Sequence, residues 1–199
     1  MYFIAVVSDP IDHPEVRARL ATHFTNLQHT GFAGAPSFHS FGDVLIAFDG
    51  TSPFGHYSSA DTSFTLAGGY SELSNEGTRS GSWFEMTLNG GQLKVETDTF
   101  YPWPLYYGST PTMMAAGNDV HAIAIALGLH ELDERAVVEL AAMQYWILGR
   151  YTTVKGVDRV WPGERLVLPS EISRAPKHIV PERVEQIPDY PSLKQSQDF

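Results

Sequence analysis

The sequence predicts an α+β protein, and three observations carry that expectation. A helical repeat occupies residues 16–27, strand-like segments dominate residues 43–97, and the hydrophobic period returns to a helical one after residue 117. The elements therefore run strand, helix, several strands, hairpin, two helices, strand, which is the segregated order of an α+β layout.

Each element has its own signal. Residues 2–8, YFIAVVS, form a short apolar run rich in β-branched and aromatic residues, suited to a buried strand. Asp9-Pro10 ends it, and Pro14 stands where a helix can begin. Val16, Leu20, Phe24 and Leu27 then recur at helical spacing, predicting an amphipathic helix to about residue 27. Residues 31–36 read as a loop, DVLIAFD (43–49) as a strand, and TSPFGHYSSADTS as a polar loop ending near Ser63. SFTLAGGY (63–70) reads as a strand running into a glycine pair.

The clearest local pattern is SWFEMTLNGGQLKVETD. Phe84, Met86 and Leu88 alternate with Trp83, Glu85 and Thr87, and Leu93 and Val95 alternate with Lys94 and Glu96. Asn89-Gly90 between them predicts a hairpin turn. PLYYGSTPTMMAAG looks like two short strands around a Ser-Thr-Pro turn. Beyond it, NDVHAIAIALG predicts a helix capped by Asn118 and stopped at Gly128. DERAVVELAAMQYWILG predicts a second, capped by Asp133 and closed at Gly149, with Val137, Leu140, Ala141, Tyr145 and Leu148 on one stripe. VDRVWPGERLVL turns into a final strand. Residues 170–199 are charged and aperiodic and hold four of the 13 prolines, so a domain over 1–169 followed by a linker or tail over 170–199 is expected.

Bulk properties narrow the function. At 199 residues, with 43% hydrophobic and 12% aromatic content, the chain can bury a sizeable core. A net charge of −10 repels phosphates and disfavours non-specific binding to nucleic acid or anionic membranes. No run of about 18 apolar residues is present, and MYFIAVVSDPID lacks the basic start and cleavage site of a signal peptide. A cytoplasmic protein is the expectation. Cysteine is absent, which removes disulfides, thiolate metal sites and a cysteine nucleophile together.

Other constellations favour structural readings. The eight histidines include no H-x-H, and HELDE lacks the second histidine of a zincin, so no metal site is expected. Gly68-Gly69 and the NGG turn lack the Lys-Ser/Thr of a phosphate loop. Ser8, Asp9 and His13 are close in sequence, but a strand end and helix entry explain them better than a triad, which is defined in space. Trp103, Trp146 and Trp161 read as core residues, and Glu131, Asp133 and Glu134 as the acidic start of a helix.

Residues 81–168 resemble the amino-terminal glutaminase-type domain of asparagine synthetases and related amide-forming enzymes. In that family a hairpin leads into an Asp … Gly … Pro-Leu-Tyr-Tyr segment; here Asp98 … Tyr101 … Pro104-Leu105-Tyr106-Tyr107 stand in that order. A small-residue strand and helix follow, as in AAGNDVHAIAIALGL, then a D-x-x-A helix at Asp133–Ala136. A T … G-V-x-R-V-x-P-G-x-x-L segment closes the series, from Thr153 through Gly156 and Pro162-Gly163 to Leu166. The resemblance implies a four-layer αββα sandwich of the N-terminal-nucleophile (Ntn) hydrolase type. It also implies that the aromatic stretch DTFYPWPLYYG is a structural corner feeding an aromatic strand into the core.

The same resemblance implies a degenerate catalytic site. Active members carry a cysteine directly after the initiator methionine, whose thiolate attacks the glutamine amide. Tyr2 occupies that position, and a phenol with a pKa near 10 is a poor acyl acceptor. The family's Asn-Gly-Glu strand end aligns with Gly68-Gly69-Tyr70, so only the middle glycine matches. The Arg-Gly-Pro-Asp substrate loop has no counterpart in FDGTSPFG, and the long insert before the hairpin is cut to about ten residues. Of the site residues Asp98 alone is retained outside that glycine.

The Ser-Gly-Gly-x-Asp-Ser loop that binds ATP in the synthetase half is absent. No cofactor is therefore expected in this chain, and ATP and magnesium only in a partner. The leading expectation is a non-hydrolytic domain that docks on an ATP-dependent amide, lactam or peptide-cyclase domain. The alternatives are a stand-alone binding or regulatory module on the same fold and, remotely, an active glutamine amidotransferase. Homo-oligomerisation is left open.

Overall fold

The computed structural model describes residues 2–29, 36–49, 56–73, 79–98, 104–143, 147, 149–161, 163–169 and 179–183. In chain order the first elements are β1 (Phe3–Ser8), a 3-10 turn (Pro10–Asp12), α1 (His13–His29), β2 (Pro36–Phe41), β3 (Val44–Asp49), β4 (His56–Ala60) and β5 (Ser63–Leu73). There follow β6 (Arg79–Asn89), β7 (Gln92–Thr97), β8 (Tyr106–Ser109), β9 (Met113–Gly117), α2 (Val120–Leu127), α3 (Glu134–Ala142), β10 (Val157–Arg159), β11 (Glu164–Pro169) and β12 (Glu182–Arg183).

The strands form two six-stranded antiparallel sheets. The first runs β10-β8-β9-β1-β3-β2 and the second β12-β11-β7-β6-β5-β4. β1 lies at the centre of the first sheet, between β3 and β9, and is buried on both faces because the second sheet covers one and the helices the other. Its odd residues Phe3, Ala5 and Val7 join the core between the sheets, with Ile46, Phe48, Phe64, Phe84, Met86 and Val95. Its even residues Ile4 and Val6 face Val16, Leu20 and Phe24 of α1 and Ile123 and Leu127 of α2. Each fully buried phenylalanine in the inter-sheet core contributes about 1.5–3 kcal/mol. Helices thus cover the outer face of the first sheet. The outer face of the second carries Thr65, Glu85, Thr87 and a Lys94–Glu96 ion pair at 2.8 Å, a surface suited to water. The α+β sandwich class expected from the sequence is the one observed.

Several local expectations need correction. The stretch read as a loop before Ser63 contains β4, and β2 begins at Pro36 where a loop was expected to end. The hairpin turn is Gly90-Gly91, one residue later than Asn89-Gly90: Asn89 pairs with Gln92, and both glycines have positive φ (57° and 78°), as a type I′ turn requires. Asp119 rather than Asn118 caps α2, accepting the His121 N–H at 2.8 Å, while Gly128 ends the helix in the left-handed conformation as expected. α3 starts under its Asp133 cap but stops at Ala142 instead of Gly149, and residues 144–146 and 148 lie outside the described set. Its predicted apolar stripe is not its buried face: Ala136 is buried, whereas Val137 and Val138 are exposed.

The VDRVWPGERLVL segment crosses between sheets, with β10 in the first and β11 in the second. At the crossing the Val160 N–H donates to the Leu105 carbonyl at 2.9 Å. Leu105 and Tyr107 enter the inter-sheet core, so the described part of the Pro-Leu-Tyr-Tyr corner is structural; residues 99–103 lie outside the described set. Trp161, expected in the core, is exposed near the guanidinium groups of Arg150 and Arg159. Trp103 and Trp146 lie outside the described residues. From the expected tail, β12 pairs with β11 and Ile179 packs against the inter-sheet core.

Candidate functional site

The residues singled out by the sequence fall into one cluster and one outlier. In the cluster, Gly68, Gly69 and Tyr70 on β5 lie opposite Phe84, Trp83 and Ser82 on β6. Gly69 has φ +91°, and a Cβ there would stand 2.1 Å from the Ser82 carbonyl oxygen. Only glycine fits, because both the backbone angle and the approach of β6 exclude a side chain. Gly68 is constrained differently. A Cβ on it would lie 2.4 Å from Cε1 of Phe84, whose ring stacks on Phe3 at 4.5 Å and 15°. The aromatic pair fills the space into which a side chain at position 68 would project.

Asp98 joins this cluster through Trp83. Its buried carboxylate accepts the Trp83 N–H at 2.9 Å, and its own N–H donates to the Trp83 carbonyl at 3.1 Å. The Thr97 hydroxyl donates to the same carbonyl at 3.1 Å. Asp98 therefore continues the β6–β7 ladder with a side chain where a strand would use its backbone. The Tyr70 side chain lies outside the described residues.

Tyr2 is the outlier. The pleat sends successive side chains of β1 to opposite faces, and Tyr2 packs with the helix-facing core while Phe3 faces the glycine strand. Its backbone is held firmly. The Tyr2 N–H donates to Oδ1 of the fully buried Asp49 at 2.8 Å, and the Asp49 N–H returns a bond to the Tyr2 carbonyl at 3.0 Å. One residue on, the Phe3 N–H donates to Oδ1 of Asn118 at 2.8 Å, and the Asn118 N–H donates to the Phe3 carbonyl at 3.2 Å. Two side chains, from the ends of β3 and β9, thus clamp the chain start. Sequence reasoning missed both, taking Asp49 for a strand end and Asn118 for a helix cap. A polar residue directly closing an apolar strand was the available signal.

Other side-chain groups are structural. His23 Nε2 and Asp119 Oδ2 lie 2.7 Å apart and join α1 to the start of α2. Burial pushes the Asp119 carboxyl up, but the bond and charge of His23 and the amides of His121 and Ala122 outweigh it, holding it below the usual carboxylate range. Ser8 donates to the Asp9 carbonyl and His13 Nε2 lies 3.3 Å from the Asp43 carbonyl, as a strand end and helix entry require. Arg150 grips Glu164 with both terminal nitrogens, at 2.5 and 2.6 Å, fastening the loop after α3 to β11. Among the described residues no group of three or more His, Asp or Glu could hold a metal ion. No described helix is long and apolar enough to cross a membrane.

The architecture has counterparts among solved structures. One is an allosteric regulatory enzyme of purine biosynthesis, matched with a TM-score of 0.51 at 12% identity over 92% of this chain and 49% of that one. Another is glutamine phosphoribosylpyrophosphate amidotransferase from B. subtilis, with a TM-score of 0.50 at 11% identity over the same shares. The chain shares its fold with these two structures. At this identity the likeness concerns the fold alone, and the chain spans about half the length of these enzymes. No family model and no curated protein matches the sequence.

Proposed function

We propose that the chain is a non-hydrolytic glutaminase-like domain that supports an ATP-dependent, asparagine synthetase-like amide-forming partner. The observation that carries this reading is the Phe3–Phe84 stack over Gly68. Position 68 is where the resemblance places the asparagine that would stabilise the oxyanion, and here core aromatics take that volume. Tyr2, at the nucleophile position, turns toward the helices and away from Gly68 and Gly69. Losing one oxyanion donor alone costs on the order of 10²–10³ in rate, before a missing thiolate is counted. Asp98, the retained site residue, supports the strand ladder through Trp83.

On this reading ATP and magnesium belong to the partner, which forms the amide with an amine from its own substrate. The test is ammonia release from millimolar glutamine, with and without ATP, beside co-purification with a synthetase-type protein from the adjacent reading frame. The expected result is no turnover and a stable complex. Glutamine turnover that is abolished by substituting Tyr2 would overturn the proposal.

A further inference from the structure

α2 and α3 are nearly the same length, eight and nine residues, but they are anchored in opposite ways. α2 buries Ala122, Ile123, Ala124, Ala126 and Leu127, all of them in the core beneath the helices. α3 buries Ala136 alone, and no residue of α3 belongs to either hydrophobic core. Val137, Val138, Ala141, Ala142 and Met143 are exposed. A helix shorter than about 12–15 residues is marginal in water without a packed face. Polar contacts must therefore do much of the work of keeping α3 in place.

These contacts fall at two points. At the start of the helix the Asp133 N–H donates to the Thr153 carbonyl at 3.0 Å, Leu132 bridges Val154, and the Lys155 N–H donates to the Glu131 carbonyl at 2.9 Å. The Lys155–Glu131 ion pair at 2.8 Å joins two exposed side chains, so water screens it. Along the body of the helix the grip comes from Tyr151. Its hydroxyl donates to the Glu139 carboxylate, and the Arg135 guanidinium lies 3.6 Å over its ring. Arg135 and Glu139 stand four residues apart on one helix face, so a single side chain engages both. Tyr151 is itself fixed to the first sheet. Its backbone bridges Asp158 of β10, and its ring fills the space that a side chain at Gly149 would need.

We propose that α3 is a latched helix, opening as a unit of its own while both sheets stay folded, and that the Tyr151 hydroxyl is the latch. Regions with few buried apolar contacts open at lower free energy than the whole molecule. A bond to a charged acceptor is among the stronger hydrogen bonds, so one phenol can set how often so lightly packed a helix opens.

Native-state hydrogen exchange of the full chain, measured in increasing urea, reads the opening. The reporters are the amides of Val137 and Met143, which donate to the Asp133 and Glu139 carbonyls at 3.0 and 2.8 Å. Corrected for intrinsic rates, they should exchange at least about 100-fold faster than the amides of β1. Their rates should rise only slightly with urea, because opening α3 exposes little surface, whereas those of β1 should rise steeply. Tyr151→Phe keeps the ring and removes the donor, and should speed both α3 amides by about tenfold. Glu139→Gln should speed them less in the Tyr151→Phe background than in the wild type, because the bond is then already gone. α3 amides as protected and as urea-sensitive as those of β1 would overturn the separate opening. Rates unmoved by Tyr151→Phe, or fully additive effects of the two substitutions, would overturn the latch.

Discussion

Gly68→Asn restores the residue that the resemblance expects, and the structure predicts that it damages the protein. The new Cβ would lie 2.4 Å from Cε1 and 2.8 Å from Cζ of Phe84, whereas carbon atoms prefer about 3.5–4.0 Å. The ring would have to retreat by roughly 1 Å or more, but it is fully buried and already stacked at 4.5 Å on Phe3. Overpacking of this kind costs about 1–3 kcal/mol. Burying an amide among aromatic carbons adds about 1–3 kcal/mol when it finds no partner. At about 2–4 °C per kcal/mol for a chain of this size, the melting temperature should fall by roughly 4–24 °C. Phe84→Ala alone should cost about 3–5 kcal/mol. The double variant should be less destabilised than the sum of the two by at least about 1 kcal/mol, because the truncated ring frees the volume that asparagine needs. Denaturant unfolding of the four proteins in the cycle measures this coupling. Additive effects, or a Gly68→Asn protein that melts within about 1 °C of wild type, would refute the claim that Phe84 occupies the position-68 volume.

Gly69→Ala should be worse than Gly42→Ala. Both positions have positive φ, but Gly42 has open space around its Cβ position while Gly69 meets the Ser82 carbonyl at 2.1 Å; Gly42→Ala should lose about 1–3 kcal/mol and Gly69→Ala more, as read by urea midpoints. Asp119→Asn removes a carboxylate whose pKa is depressed in the fold. Its stabilisation should be complete above the ordinary carboxylate value and disappear as pH falls through the lower folded value. The gap in melting temperature between wild type and Asp119→Asn should therefore be open at pH 6 and narrow below about pH 4. Tyr2→Cys should release no ammonia from glutamine, because the residue at that position faces the helices; turnover by this variant would show that the site can still assemble.

Legibility from sequence tracked burial. β1 and β3 announced themselves as apolar runs because both of their faces are covered. The β6–β7 hairpin announced itself by alternation because one face meets the inter-sheet core and the other meets water. β4 was invisible for the opposite reason: a strand exposed along residues 57–60 has no face whose burial could impose a pattern. α3 misled because its predicted stripe does not coincide with its buried face: Val137, on that stripe, is 40% exposed, while Ala136 beside it is buried. At the site, the glycine pair was visible but its reasons were not. They depend on the register that sets Gly68 against Phe84 and Gly69 against Trp83, and on the Phe3 contact from a strand some 65 positions earlier in the chain. The Asp49 and Asn118 clamps were hidden in the same way, since each reaches the chain start across a sheet.

The two sheets also differ in when they can form. β4, β5, β6 and β7 are consecutive, and each pairs with the next, so most of the second sheet closes through short loops. The centre of the first sheet cannot do so. Ala5 pairs with Ala116 and Phe3 depends on Asn118 for its amide, contacts that bridge more than half the chain. Non-local pairing is slow because chain entropy is lost before the contact repays it. During synthesis the meander can therefore assemble while β1 still lacks β9, its apolar residues unpaired on that side. A chain truncated before Met113 should keep the means to build a meander yet leave β1 exposed, and its solubility would then depend on whatever covers that strand first.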